Sequence, residues 1–198
     1  MDYRYLVIIM MSAVLVNNYV LRQFLGVCPF LGVSRDLKSS VGMGLAVMFV
    51  MLMAAAVTWP IQVFLLKPSG LGFMQTVVFI LVIATLVQLV EVVLKRYSPA
   101  LFSSLGVYLP LMTTNCAVLA VTISNVNRDY SFIESVVSAL GAGLGFFLAM
   151  VIFTGVRSVL ESADPPEPFK GIPITLISAA ILSLAFFGFE GVIENLFG

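Results

Sequence analysis

The sequence predicts an all-α integral membrane protein. It reads as a single domain over residues 1–198, with six transmembrane helices in two three-helix repeats of inverted topology. Three observations predict this. First, the chain is 61% hydrophobic and only 10% charged, with a mean hydropathy of +1.11; a soluble domain is about 45–50% apolar and about 25% charged. Second, the apolar residues fall into runs near the ~20 residues that cross a bilayer, and nearly all charge lies between them. Third, the second half of the chain repeats the first.

The first apolar run covers 5–33, with Arg22 its one charge. The others cover 41–66, 71–94, 100–123, 132–156 and 172–196. Repeat one is then about 5–97 and repeat two about 98–198. The connections "SRDLKS", "KPSG", "KRYSP", "SNVNRDYS" and "RSVLESADPPEPFKG" are short and polar. The N-terminus lacks the basic region and small-residue cleavage site of a signal peptide, so the first run is expected to stay as a span. Loops after spans one, three and five carry Arg35, Lys38, Lys95, Arg96, Arg157 and Lys170. The opposite side carries Arg4, Lys67 and Arg128. Basic residues favour the inner side, so both termini are expected outside a cytoplasmic or inner membrane.

Span one is too long. Its 29 residues make about 43 Å of helix against about 30 Å of hydrocarbon. Tilt absorbs part of the excess; a break absorbs more. Gly26, Pro29 and Gly32 cluster around Cys28, and Pro29 lacks the N–H that an uninterrupted helix uses. Broken helices are therefore expected at the cysteine motifs. Non-helical backbone at this depth needs protein or a cavity around it, so the stretch should face protein.

The repeat is legible residue by residue. "CPFLGVS" (28–34) matches "CAVLAVT" (116–122), and "GMGLAVMFVM" (42–51) matches "GAGLGFFLAM" (141–150). Glu91 matches Glu190 under the same shift of 99 as the glycines, while the cysteines are shifted by 88. The longer loop "SNVNRDYSFIE" accounts for the difference. An odd number of spans per half inverts the second half, with a pseudo-two-fold axis in the membrane plane. Such an axis brings Cys28 and Cys116 near each other at mid-depth.

Composition narrows the chemistry. The net charge is zero, so nothing points to nucleic acid. There is no His, which removes the commonest metal ligand and general base. Both cysteines lie in apolar runs, unlike a secreted disulfide framework. Buried free cysteines are often small hydrophobes, and a close pair can form a disulfide. Soft metal or cluster ligation is the functional reading. An iron–sulfur cluster usually takes four thiolates, so two would come from a second, paralogous chain.

Glu91 and Glu190 are intramembrane carboxylates, and such groups often mark a proton or cation path. Glu91 also has Lys95 at i+4, and Glu190 lies eight residues from the C-terminus, so both also fit helix ends at the interface. Arg22 either snorkels or offsets the charge of bound thiolates. The pairs Gly42/Gly44 and Gly141/Gly143 fit close helix packing. Asn17, Asn18 and Asn115 suit hydrogen bonds to freed backbone or a partner helix. Thr114 and Asn115 also suit donation to cluster sulfurs. Inverted repeats with broken helices also occur in secondary ion transporters, and a structural scaffold with inert cysteines is the blandest alternative.

The segments "LVNNYVLRQFLGVCPFLGVS", "LPLMTTNCAVLAV" and "SADPPEPFKG" together resemble the A subunits of Rnf complexes. These are the ion-translocating ferredoxin:NAD oxidoreductases of bacterial and some archaeal membranes. The E subunits of sodium-translocating NADH:quinone oxidoreductases are similar. The resemblance implies that Cys28 and Cys116 supply half the ligands of a [2Fe–2S] cluster shared with the paralogous E subunit of Rnf. It implies electron transport from ferredoxin across the bilayer toward NAD, with the B, C, D and G subunits of Rnf as partners. It further implies that electron flow is coupled to Na⁺ or H⁺ translocation.

Overall fold

A computed structural model describes residues 3–34, 36–70, 72–97, 115–163 and 166–188. Among these residues the chain is entirely helical and irregular, with no strand. Helix α1 is Tyr3–Met11, prolonged by a π-helical turn at Ser12–Val16. After a non-helical stretch, α2 is Val27–Val33. Helix α3 is Leu37–Ile61, prolonged by a π-helical turn at Gln62–Leu66 and a last turn at Lys67–Ser69. A 3₁₀ turn at Gly72–Met74 leads into α4, Gln75–Tyr97. Helix α5 is Cys116–Asn127 and α6 is Phe132–Ser162. A 3₁₀ turn at Glu167–Phe169 precedes α7, Ile172–Phe187.

Three of these helices are long and apolar enough to cross a membrane: Leu37–Leu66, Gly72–Val93 and Phe132–Leu160. Three shorter apolar helices accompany them: Tyr3–Leu15, Cys116–Asn127 and Ile172–Phe187. The frame is the antiparallel pair α3 and α6. The Thr154 hydroxyl bonds that of Ser40 at 2.8 Å near one end. At the other end the Trp59 ring meets Phe132 edge-on at 5.5 Å, and Trp59 Nε1 donates to the Tyr130 carbonyl at 2.9 Å. Met43, Val47, Met51, Ala54, Phe146, Met150 and Phe153 form the centre of the core.

The G-x-G-L pairs sit at this crossing. A Cβ built on Gly44 would stand 2.7 Å from Phe147 Cδ2. One built on Gly143 would stand 2.6 Å from Met48 Cγ and 3.0 Å from Met48 Cα. Only glycine lets these backbones approach so closely. The contacts are reciprocal: the shift of 99 carries Gly44 onto Gly143 and Met48 onto Phe147.

Polar contacts lie at both ends of the frame. Lys67 Nζ lies 3.2 Å from Asp129 Oδ1 at one end of the frame. Arg157 reaches Ser34 at the other. Outside the helices, Arg128 donates to the Tyr130 hydroxyl at 3.1 Å, and that bond raises the guanidinium's pKa further above its already high value.

One expectation changes. The break in the first span lies upstream of the cysteine, over residues 17–26, and not at Pro29. Pro29 is the third residue of α2, where its missing N–H is no loss because the first turn has no intrahelical acceptor. At the second motif, as expected, Cys116 opens a helix, which runs to Asn127, and Asn115 before it is extended (φ −71°, ψ 109°). Residues 98–114 lie outside the described residues, as do 189–198.

Candidate functional site

Both cysteines sit in the first turn of a helix: α2 follows the non-helical residues 17–26, and α5 follows extended Asn115. Cys28 is the second residue of α2 and Cys116 the first of α5. Both are exposed at the protein surface, and neither is in a disulfide.

The two helices start by different means. Gly26 caps α2 with φ 78°, a left-handed conformation that side chains disfavour. It is also buried against the second motif. A Cβ at Gly26 would stand 3.0 Å from Asn115 Oδ1, 3.0 Å from Phe146 Cε2 and 3.2 Å from Ala117 Cβ. The chain two residues before Cys28 thus packs on the residues flanking Cys116. Helix α5 starts with a side-chain cap instead: Asn115 Oδ1 accepts from the Ala117 N–H at 2.9 Å. Asn115 is 4% exposed, and its Nδ2 has no hydrogen-bond partner.

The stretch 17–26 is tied down by its own amides and by neighbours. Asn18 is 1% exposed. Its Nδ2 donates to the Gly145 carbonyl of α6 at 2.9 Å and to Val14 at 3.4 Å. Its Oδ1 accepts from the Val20 and Leu21 N–H groups at 3.1 and 3.3 Å. Asn17 Nδ2 donates to Ser12 Oγ at 2.9 Å, while its Oδ1 accepts from Arg22 Nη1 at 3.2 Å. The Ser183 hydroxyl of α7 donates to the Leu21 carbonyl. The Arg22 guanidinium stands 5.7 Å from the Phe187 ring centroid. Asn18 and Asn115 thus satisfy freed backbone, as expected, whereas the Asn17 carboxamide bonds the side chains of Ser12 and Arg22; each polar bond here replaces water that hydrocarbon cannot supply.

At the far end of α2, Arg157 of α6 donates from Nη1 to the Leu31 carbonyl at 2.7 Å and to Ser34 Oγ at 2.9 Å. A cation there suits the negative end of a helix. In the sequence Arg157 reads only as a positive loop charge. Its role is hidden there because its acceptors lie 126 and 123 residues away in the chain. Gly26 and Gly145 as contact points also escape a reading of the sequence; the run "GAGLG" (141–145) is the available signal for Gly145.

Glu91 is half-buried near the C-terminal end of α4, on a different helix from either cysteine. Glu190 and Thr114 lie outside the described residues. Among the described residues, no three His, Cys, Asp or Glu side chains gather into a metal-sized group. Two exposed thiols on motifs that pack together fit half of a cluster site and not a complete one.

An apolar, all-helical frame with helices of bilayer-crossing length defines a polytopic membrane protein. Known proteins narrow that class. The family model described as "Rnf-Nqr subunit, membrane protein" matches residues 6–193, and the chain belongs to that family. It is 52% identical over 187 residues to the A subunit of the Na⁺-translocating ferredoxin:NAD⁺ oxidoreductase complex of Acetobacterium woodii, covering 94% of this chain and 97% of that one. It is 52% identical over 190 residues to the A subunit of the ion-translocating oxidoreductase complex of Syntrophotalea carbinolica, covering 96% and 98%. The A subunit of the complex of the same name from Serratia proteamaculans is 50% identical over 187 residues, covering 94% and 97%.

Proposed function

We infer that this chain is a membrane subunit of a redox-driven ion pump of the ferredoxin:NAD oxidoreductase type, in a bacterial cytoplasmic membrane. In this role Cys28 and Cys116 hold half of a [2Fe–2S] cluster, and a paralogous subunit holds the rest. One observation carries the proposal. Two thiols, each exposed in the first turn of a helix after broken chain, belong to motifs that meet at Gly26, Asn115 and Ala117. The naming of relatives as the A subunits of such complexes supports it.

Each residue then has a task. Cys28 and Cys116 present thiolates, the soft ligands iron takes. The twelve-residue α5 directs its positive end toward Cys116, which favours bound negative charge. Gly26 and Asn115 hold the two motifs together, and Arg157 holds α2 from its far end. When bound, the cluster supplies one-electron redox chemistry within the low-dielectric layer. Negative charge at that depth is costly unless compensated. A cation drawn toward the thiolates, by a path including Glu91 and Glu190, couples the redox state to Na⁺ or H⁺ movement. The reciprocal Gly44–Phe147 and Gly143–Met48 contacts support inverted repeats, while six spans and both termini outside rest on the run lengths and the loop charges.

The test is electron paramagnetic resonance of the purified, reduced complex, with iron and sulfide quantified, for wild type, Cys28→Ser and Cys116→Ser. The proposal expects one [2Fe–2S] signal to vanish in either variant. An unchanged signal in both would overturn it. Ion transport by the isolated chain without redox partners would assign a secondary transporter instead.

A further inference from the structure

Asn115 has a second task. Its carboxamide is divided. Oδ1 is committed to the Ala117 N–H at 2.9 Å, and this fixes the amide orientation, because a flipped group would set donor against donor. Nδ2 is buried and unpartnered. Leaving a buried donor unmade costs about 1–3 kcal/mol, and hydrocarbon offers no water to relieve it.

Among the described residues, the other buried side-chain atoms without a partner are Gln62 Oε1, Asn125 Oδ1 and Ser135 Oγ. All three are oxygens, and none adjoins a cysteine in sequence. Asn115 Nδ2 is the one nitrogen among them. It also adjoins both motifs: Cys116 follows it in the chain, and its carboxamide abuts Gly26, two residues before Cys28. No described residue supplies its acceptor, and the motifs that carry the thiols are its described neighbours.

We propose that Asn115 Nδ2 donates a hydrogen bond to a sulfur of the group held at Cys28 and Cys116, either a cysteine Sγ or an inorganic sulfide. This rests on the cluster site described above and assigns Asn115 as a potential-setting residue. Charge on sulfur grows on reduction, so a fixed N–H donor stabilises the reduced form more and raises the midpoint potential. The two halves of the carboxamide are separable. Asn115→Ser keeps a side-chain oxygen able to cap α5 and removes the donor. Asn115→Asp keeps the shape and the cap, and replaces the donor with negative charge.

The experiment is a redox titration of the whole purified complex, followed by electron paramagnetic resonance, for wild type and both variants. The expected result is a retained signal with the midpoint shifted downward. For Asn115→Ser the reduced-to-oxidised ratio at fixed ambient potential should fall roughly tenfold, which is about 59 mV for one electron; for Asn115→Asp it should fall further. Retained signals at the wild-type midpoint in both variants would overturn the inference and leave the cluster site standing. A wild-type complex with no such signal, or one whose signal survives Cys28→Ser and Cys116→Ser, would overturn the cluster site itself. If both variants fail to assemble, the wild-type complex decides. Asparagine labelled with ¹⁵N in the side chain should show nitrogen hyperfine coupling to the reduced centre, and its absence would overturn the inference.

Discussion

The two cysteine helices start by different local chemistry. Helix α5 is twelve residues long and starts with its own side-chain cap. The hairpin that follows it is closed by Ser131 and Glu134, with the Ser131 N–H donating to Glu134 Oε2 at 2.8 Å. Helix α2 is only seven residues long and starts on a left-handed glycine with no side-chain cap. Short isolated helices are unstable, so α2 depends on contacts from elsewhere: Arg157 from α6, Ser183 from α7 and the amide of Asn18. The two cysteine motifs thus comprise a locally supported member and a remotely supported one. Damage to remote residues should therefore reach Cys28 before Cys116.

Gly26→Ala should break that comparison most severely, because Gly26 belongs to both motifs. A left-handed alanine costs roughly 1–2 kcal/mol. Overpacking against Asn115 and Phe146 adds about 1–3 kcal/mol. Together they should lower the thermal midpoint of the complex sharply and remove the cluster signal. A variant with wild-type stability and signal would mean that the motifs do not depend on this contact.

Arg157→Gln should come next, and it should discriminate between the two helices. It removes a charged donor from the Leu31 carbonyl and from buried Ser34, a loss of about 2 kcal/mol for charge-assisted bonds. In chelator-treated complex, maleimide labelling of Cys28 should quicken while labelling of Cys116 stays near wild type. Arg157→Lys should restore part of the protection, because an ammonium has donors but not the guanidinium's fixed fork. Equal acceleration at both cysteines would show that α2 is not held separately.

Much of this architecture is legible in the sequence, and the remainder is hidden for physical reasons. Composition and run length make the helical membrane class readable, since hydrocarbon admits few alternatives. Excess length in 5–33 shows that the first span must break. The position of the break is harder to read, because Pro29 signals either a helix interior interrupted or a helix begun, and sequence alone favours the former. Gly26 settles it through a left-handed φ, a property of conformation. The repeat exposes Cys28, Cys116 and the crossing glycines because matched residues recur at constant shifts. Arg157 and Ser183 leave no such trace: their partners include single backbone carbonyls, which every residue possesses, so only the tertiary structure selects Leu31 and Leu21.

Ser183→Ala should give the smallest effect. The hydroxyl donates to the Leu21 carbonyl, and such bonds between membrane segments average about 0.6 kcal/mol. The stretch 17–26 has other ties, notably Asn18 to Gly145, so one lost bond should leave the cluster in place. The comparison still predicts where the loss is felt. Hydrogen exchange should rise at residues 20–25 and around α2, and remain unchanged at the Asn115 cap. A rise spread equally over both motifs would mean that α5 draws on α7 as well, and that the local cap at Asn115 does not make the second cysteine helix independent.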